Sequence, residues 1–123
     1  MAKVYLTSFG NNLGRPDRYH ALLSVDELPN PVRIAPDTWS FESQADEKML
    51  EQLAALAETQ EVVKAIIHLV AALLKIQPTL HLAIGCKSGR HRSTIVCELV
   101  KRALHGQSVI ARVTHRDSQP RFA

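Results

Sequence analysis

Cysteine is scarce in this chain: Cys86 and Cys97 are the only two among 123 residues. Two thiols cannot build a disulfide scaffold, and such sparing use suits a reducing, cytoplasmic compartment. Long hydrophobic runs are also missing. The densest, Val62 to Ile76, is broken by Lys64, His68 and Lys75 and is too short to span a bilayer, so no membrane partner is expected. The first residues, Met1-Ala2-Lys3-Val4-Tyr5, lack the apolar stretch of a secretory signal. No Gly-x-x-x-x-Gly-Lys-Ser/Thr segment occurs, which removes the Walker loop as a route to ATP hydrolysis. Aromatics interleaved with cations are absent from the last third, which disfavours stacking on single-stranded nucleic acid by that region.

What is present fits a soluble globular protein, with 46% hydrophobic and 22% charged residues. The length suits one domain over residues 1–123. The net charge of +3 is unevenly spread. From Cys86 onward, eight cations (Lys87, Arg90, Arg92, Lys101, Arg102, Arg112, Arg116 and Arg121) face only Glu98 and Asp117. A basic C-terminal third calls for an anionic partner, either a phosphate ester or a nucleic-acid backbone. For Lys101 and Arg102 alone, a solvated basic helix face is the favoured reading.

The pattern predicts alternating strands and helices. Val4–Phe9 reads as a first strand ending at Gly10, and Tyr19–Val25 as a second. Leu28-Pro29-Asn30-Pro31 disfavours both helix and central strand, and residues 33–43 should form a structured loop. Met49, Leu50, Leu53, Leu56 and Ala57 fall at helical spacing. A further helix over 60–76 is apolar on most sides and should be largely buried. Thr79–Ile84 reads as a central strand, a helix follows through Leu104, and Ser108–Val113 is a last strand before a polar tail. The fold class is therefore α/β, with a small, mostly parallel sheet, covering helices and a closing right-handed βαβ unit.

Between the third strand and the last helix lies Cys86-Lys87-Ser88-Gly89-Arg90-His91-Arg92-Ser93. A strand-to-helix loop aims backbone N–H groups and the positive end of a helix dipole at one small volume. Gly89 lets the backbone fold back. Arg92 can fork onto two phosphate oxygens, and Ser93 can donate to a ligand or to sulfur. The Cys-x5-Arg-Ser spacing resembles the phosphate loop of cysteine-dependent phosphatases, in which Cys86 would be the nucleophile. Such an enzyme needs a general acid; Asp17, Asp26 and Asp117 are the candidates that folding could bring near. The alternative for Cys86 is a small buried residue at a strand end. Cys97 reads as packing, and Cys86, His91 and Cys97 match no common zinc pattern, so neither a metal nor a cofactor is expected.

Four ordered motifs add a resemblance: Ser8-Phe9-Gly10, Leu28-Pro29-Asn30-Pro31, Ile84-Gly85-Cys86 with Gly89 and His91-Arg92-Ser93, and His115-Arg116-Asp117. In this order they resemble the C-terminal domain of the RNase adapter protein RapZ family, across nearly the whole chain. The resemblance implies a stand-alone version of that domain, without the N-terminal ATPase-like part. It implies a regulatory sensor of an amino-sugar phosphate (glucosamine 6-phosphate), binding of small RNAs, and a homo-oligomer. By position it carries the ligand-binding role to Cys86, Gly89, His91, Arg92 and Ser93, and the second motif to His115 and Arg116. Lys87 and Ser88 stand where the family usually has Thr-Gly, Asp26 where Arg is common, and Val32 where a histidine is common. The phosphate half of the site is thus retained, whereas the departures touch the sugar-reading half. A phosphorylated metabolite or nucleotide is the expected ligand; cysteine-dependent phosphatase and small-RNA-binding module are the alternatives.

Overall fold

The computed structural model describes residues Met1–Ala123. Four strands, β1 (Ala2–Gly10), β2 (Ala21–Ser24), β3 (Thr79–Cys86) and β4 (Val109–His115), form one sheet in the order β2-β3-β1-β4. Every pairing is parallel, so the sheet is wholly rather than mostly parallel. The two central strands are the apolar ones, because each lacks a solvent edge. β3 and β4 are not neighbours: the connection between them passes over β1.

Helix α1 (Pro31–Ile34) is a single turn where the prolines had suggested no helix. Pro31 sits in its first turn, the one place where a missing N–H costs nothing, and the Asn30 side chain accepts from Val32 N–H at 3.1 Å. Helix α2 (Glu47–Ala54) is capped by Asp46 and buries Met49, Leu50 and Leu53. Helix α3 (Ala57–Leu74) is less buried than its composition suggested: only Thr59, Ile66 and Val70 are fully enclosed. It lays one stripe against β3 and α4 (Arg92–Leu104), and Ala65, Ala71 and Ala72 face solvent. No helix is long and apolar enough to cross a membrane.

The larger core cluster joins Val4, Leu6, Leu80, Leu82 and Ile84 to Val96, Cys97 and Val100 of α4. A second cluster gathers Val32, Trp39, Met49, Leu53 and Ile95. The last residues are not a free polar tail. Arg121 N–H donates to the Ala45 carbonyl at 2.8 Å, and Phe122 packs on the second cluster.

The helices that contact the sheet draw on the face carrying Val4, Leu6 and Leu82. On the other face Tyr5 pairs in register with His81 on one side and Arg112 on the other. The Tyr5 and His81 rings stack, with centroids 4.9 Å apart, and His20 lies 5.5 Å from His81. His20, His81 and Arg112 are exposed.

Candidate functional site at the C-terminal ends of the central strands

β1 and β3 end side by side, with Gly10 opposite Cys86. The β3–α4 loop, Lys87–His91, folds back over the end of β1, and Gly89 takes φ +75° to do so. The two backbones touch there. A Cβ on Gly89 would meet the Gly10 nitrogen, and a Cβ on Gly10 would meet the Ser88 carbonyl. Asn12 N–H completes the contact on the Lys87 carbonyl at 3.0 Å.

This fold-back leaves an unusual row of donors. None of the eight backbone N–H groups from Lys87 to Thr94 donates to a protein acceptor, and α4 has no side-chain cap. Gly89, His91, Ser93 and Thr94 are nevertheless buried. Buried N–H groups are nearly always paired, so this row is available to a ligand or to solvent.

Beside the loop lies a cavity of about 560 Å³. Lys87 and Arg92 bring their cations to it; Asp26, Leu28, Pro29, Asn30 and Arg33 form another part of its wall, together with Phe41. Arg92 is largely committed already. Its Nη1 donates to the carbonyls of Asp26 and Leu28, and its Nη2 lies 3.7 Å from Asp26 Oδ1. Asp26 Oδ2 accepts from Asn11 Nδ2 at 3.1 Å and Ser24 Oγ at 3.2 Å, whereas Oδ1 is buried without a hydrogen-bond partner. Lys87 makes no salt bridge and is exposed, so it is the freest cation on the loop.

The neighbours of Lys87 in the loop play different parts. Ser88 is exposed at the turn. Arg90 Nη1 donates to the Phe41 carbonyl at 2.9 Å, and His91 Nε2 donates to the Ser43 carbonyl at 2.5 Å. Burial, with Arg90 and Arg92 adding to it, holds the His91 pKa below 6.5 against the pull of that carbonyl. Cys86 is buried in the larger core and does not line the cavity. Its Sγ points to Ser93 Oγ at 3.2 Å, and Ser93 in turn donates to the Phe9 carbonyl at 3.4 Å. Cys97 is fully buried, and burial pushes its thiol pKa far up.

The profile of the RapZ C-terminal domain matches residues 2–119. The chain belongs to this family. Among its relatives, a nucleotide-binding protein of Koribacter versatilis is 33% identical over 94% of this chain and 38% of its own length. A nucleotide-binding protein of Listeria monocytogenes is 32% identical over 96% and 41% respectively. One from Geotalea daltonii is 31% identical over 94% and 42%. The chain thus spans about two fifths of the length of the curated relatives it matches.

The four sequence motifs lie close together in space. Leu28-Pro29-Asn30-Pro31 reaches the cavity through its first three residues. His115 and Arg116 do not line it; they support the β3–α4 loop and the end of β1 beside it. His115 Nδ1 pairs with Ser8 Oγ at 2.7 Å, Ser8 Oγ lies 3.5 Å from Thr94 Oγ1, and Thr94 donates to the Gly89 carbonyl at 3.0 Å. Burial holds the His115 pKa below 6.5. Arg116 packs over the Phe9 ring and bonds Asp117, whose Oδ2 accepts from Gly10 N–H at 2.7 Å. Burial alone would raise the Asp117 pKa, but the Arg116 and Gly10 donors outweigh it and hold it low. Of the three candidate acids, Asp26 reaches the cavity, Asp117 serves Gly10, and Asp17 lines a separate cavity with His20 and His81. Arg33 and Phe41 are cavity residues that motif spacing did not reveal. Their only signal was their place after a proline-rich motif.

Proposed function

We propose that the β3–α4 loop is a phosphate loop and that the cavity holds a phosphorylated metabolite or nucleotide in a regulatory role. The carrying observation is the run of eight unpaired N–H groups beside Lys87 and Arg92. Consecutive N–H groups at a helix start form an anion-binding concavity, and the α4 dipole adds to it. The names of the relatives, nucleotide-binding proteins, accord with such a ligand. A sensor fits better than a phosphatase because Cys86 is buried and turned to Ser93. Calorimetric titration with phosphate, glucosamine 6-phosphate and a nucleotide tests the reading. Arg92→Lys cannot hold the Asp26 and Leu28 carbonyls and also present a planar N–H edge to the cavity, and should weaken phosphate-ester binding by about 1.5–3 kcal/mol, the range for hydrogen bonds to charged groups. Arg90→Lys should matter less, since Arg90 does not line the cavity. Equal affinity of wild type and Arg92→Lys would overturn the phosphate loop.

One observation favours a second reading, small-RNA binding: the stacked Tyr5–His81 pair beside Arg112 on the open sheet face. Stacking rings with a flanking cation suit single-stranded nucleic acid. This reading predicts an affinity that falls steeply with salt and drops in Tyr5→Ala and Arg112→Ala.

A further inference from the structure

We infer that the ligand of this cavity is a nucleoside phosphate, with its base stacked on Phe41 and a ribose hydroxyl donating to Asp26. The inference rests on the phosphate-loop reading and adds the ligand class. Phe41 is 57% exposed, and among the exposed large hydrophobic residues it alone lines the cavity. Its ring belongs to neither core cluster. Its backbone is nonetheless held firmly. Ser43 N–H donates to the Ser40 carbonyl at 3.1 Å, Ser43 Oγ accepts from Ser40 N–H at 3.0 Å, and Arg90 and His91 grip the Phe41 and Ser43 carbonyls.

The clamps on the Phe41 turn come from the same loop whose amides face the phosphate. An exposed ring on a backbone held in this way offers a planar ligand a stacking surface with only its own side-chain torsions left to order. A volume of about 560 Å³ exceeds what a phosphate group alone requires and lies in the range of small-molecule sites. Asp26 supplies the orientation. Its charge repels the phosphate, which belongs on the Lys87 side, while its carboxylate lines the cavity and its Oδ1, with only Arg92 Nη2 at 3.7 Å and no hydrogen bond, can accept from a further donor. A ribose hydroxyl is such a donor, and a neutral one.

The test is calorimetry of the full chain with AMP, GMP, CMP, ribose 5-phosphate and inorganic phosphate. At least one nucleotide should bind roughly 5- to 100-fold more tightly than ribose 5-phosphate, the span of one base–aromatic stack. Phe41→Ala should bring that nucleotide to the ribose 5-phosphate level, and Phe41→Trp should restore the gap. The 2′,3′-dideoxy form of that nucleotide should bind more weakly than its parent in the wild type, with the difference reduced in Asp26→Asn. Equal binding of nucleotides and ribose 5-phosphate, or a gap that survives Phe41→Ala, overturns the stacking inference and leaves the phosphate loop standing. Binding of none of these compounds overturns the nucleotide inference, and failure of glucosamine 6-phosphate as well overturns the phosphate loop.

Discussion

At the C-terminal end of α4, Arg102 gives two hydrogen bonds to Glu47, at 2.8 and 2.9 Å, and one to Glu98 at 3.2 Å. Glu47 also accepts from the last backbone N–H, that of Ala123, at 2.9 Å. Each nitrogen of the Arg102 guanidinium has a carboxylate partner, and these charges lock α2, α4 and the C-terminus together. At the N-terminal end the pattern reverses. Eight backbone donors are unpaired, Lys87 is free, and an acceptor on Asp26 is buried without a hydrogen-bond donor. One helix thus carries a closed structural junction at one end and an open set of groups at the other. Saturated charges hold a fold together, whereas unsatisfied ones supported by rigid neighbours mark a place for a ligand.

The largest expected break is Gly89→Ala. Its left-handed φ strains any side chain by about 1–3 kcal/mol, and the new Cβ also meets the Gly10 backbone. Urea unfolding should show clear destabilisation, and phosphate binding should disappear. Thr94→Val comes next. It preserves shape but leaves the Gly89 carbonyl and Ser118 Oγ without their 3.0 and 2.8 Å partner, at a cost of about 1–3 kcal/mol. Denaturant midpoints and ligand affinity should fall together, since Thr94 steadies the loop.

The strands and most helices were legible because apolar spacing, Gly106 and Pro78 mark them locally. The errors have local causes too. Pro29 and Pro31 warned against a helix, yet Asn30 caps one turn that places Pro31 first. The composition of α3 pointed to burial, but a helix that meets neighbours along one stripe leaves its other side wet whatever its residues. At the candidate site, the place of the Lys87–His91 loop between β3 and α4 was legible from the strand–loop–helix spacing. Asp26 was legible only as a candidate acid and through the family resemblance, and Arg33 and Phe41 not at all, because the cavity is assembled by contacts between residues some fifty or sixty positions apart, such as those of Arg90 with Phe41 and Arg92 with Asp26.

Two pH effects separate the ends further. Burial depresses the pKa of His91 and His115 below 6.5. As pH falls through 6.5 the unfolded chain takes up protons that the folded chain resists, so stability declines with acid and is unaffected well above that value. His115→Asn should flatten this slope in thermal melts. The smaller effect belongs to the junction. The Arg102 guanidinium and Ala123 N–H lower the Glu47 pKa from 4.5 to about 2. Its contribution is present above pH 4.5 and fades as pH falls toward 2. Glu47→Gln should remove that acid-side slope, softened by exposure to solvent, and leave ligand affinity unchanged.

The most direct test of the open end is amide chemical-shift mapping of the nitrogen-15-labelled protein during titration with ribose 5-phosphate. The largest shifts should fall on the contiguous amides of Lys87 to Thr94, with those of Glu47, Arg102 and Ala123 unmoved. Shifts centred on Tyr5, His81 and Arg112, or no response along Lys87–Thr94, would contradict the assignment of the phosphate to the start of α4.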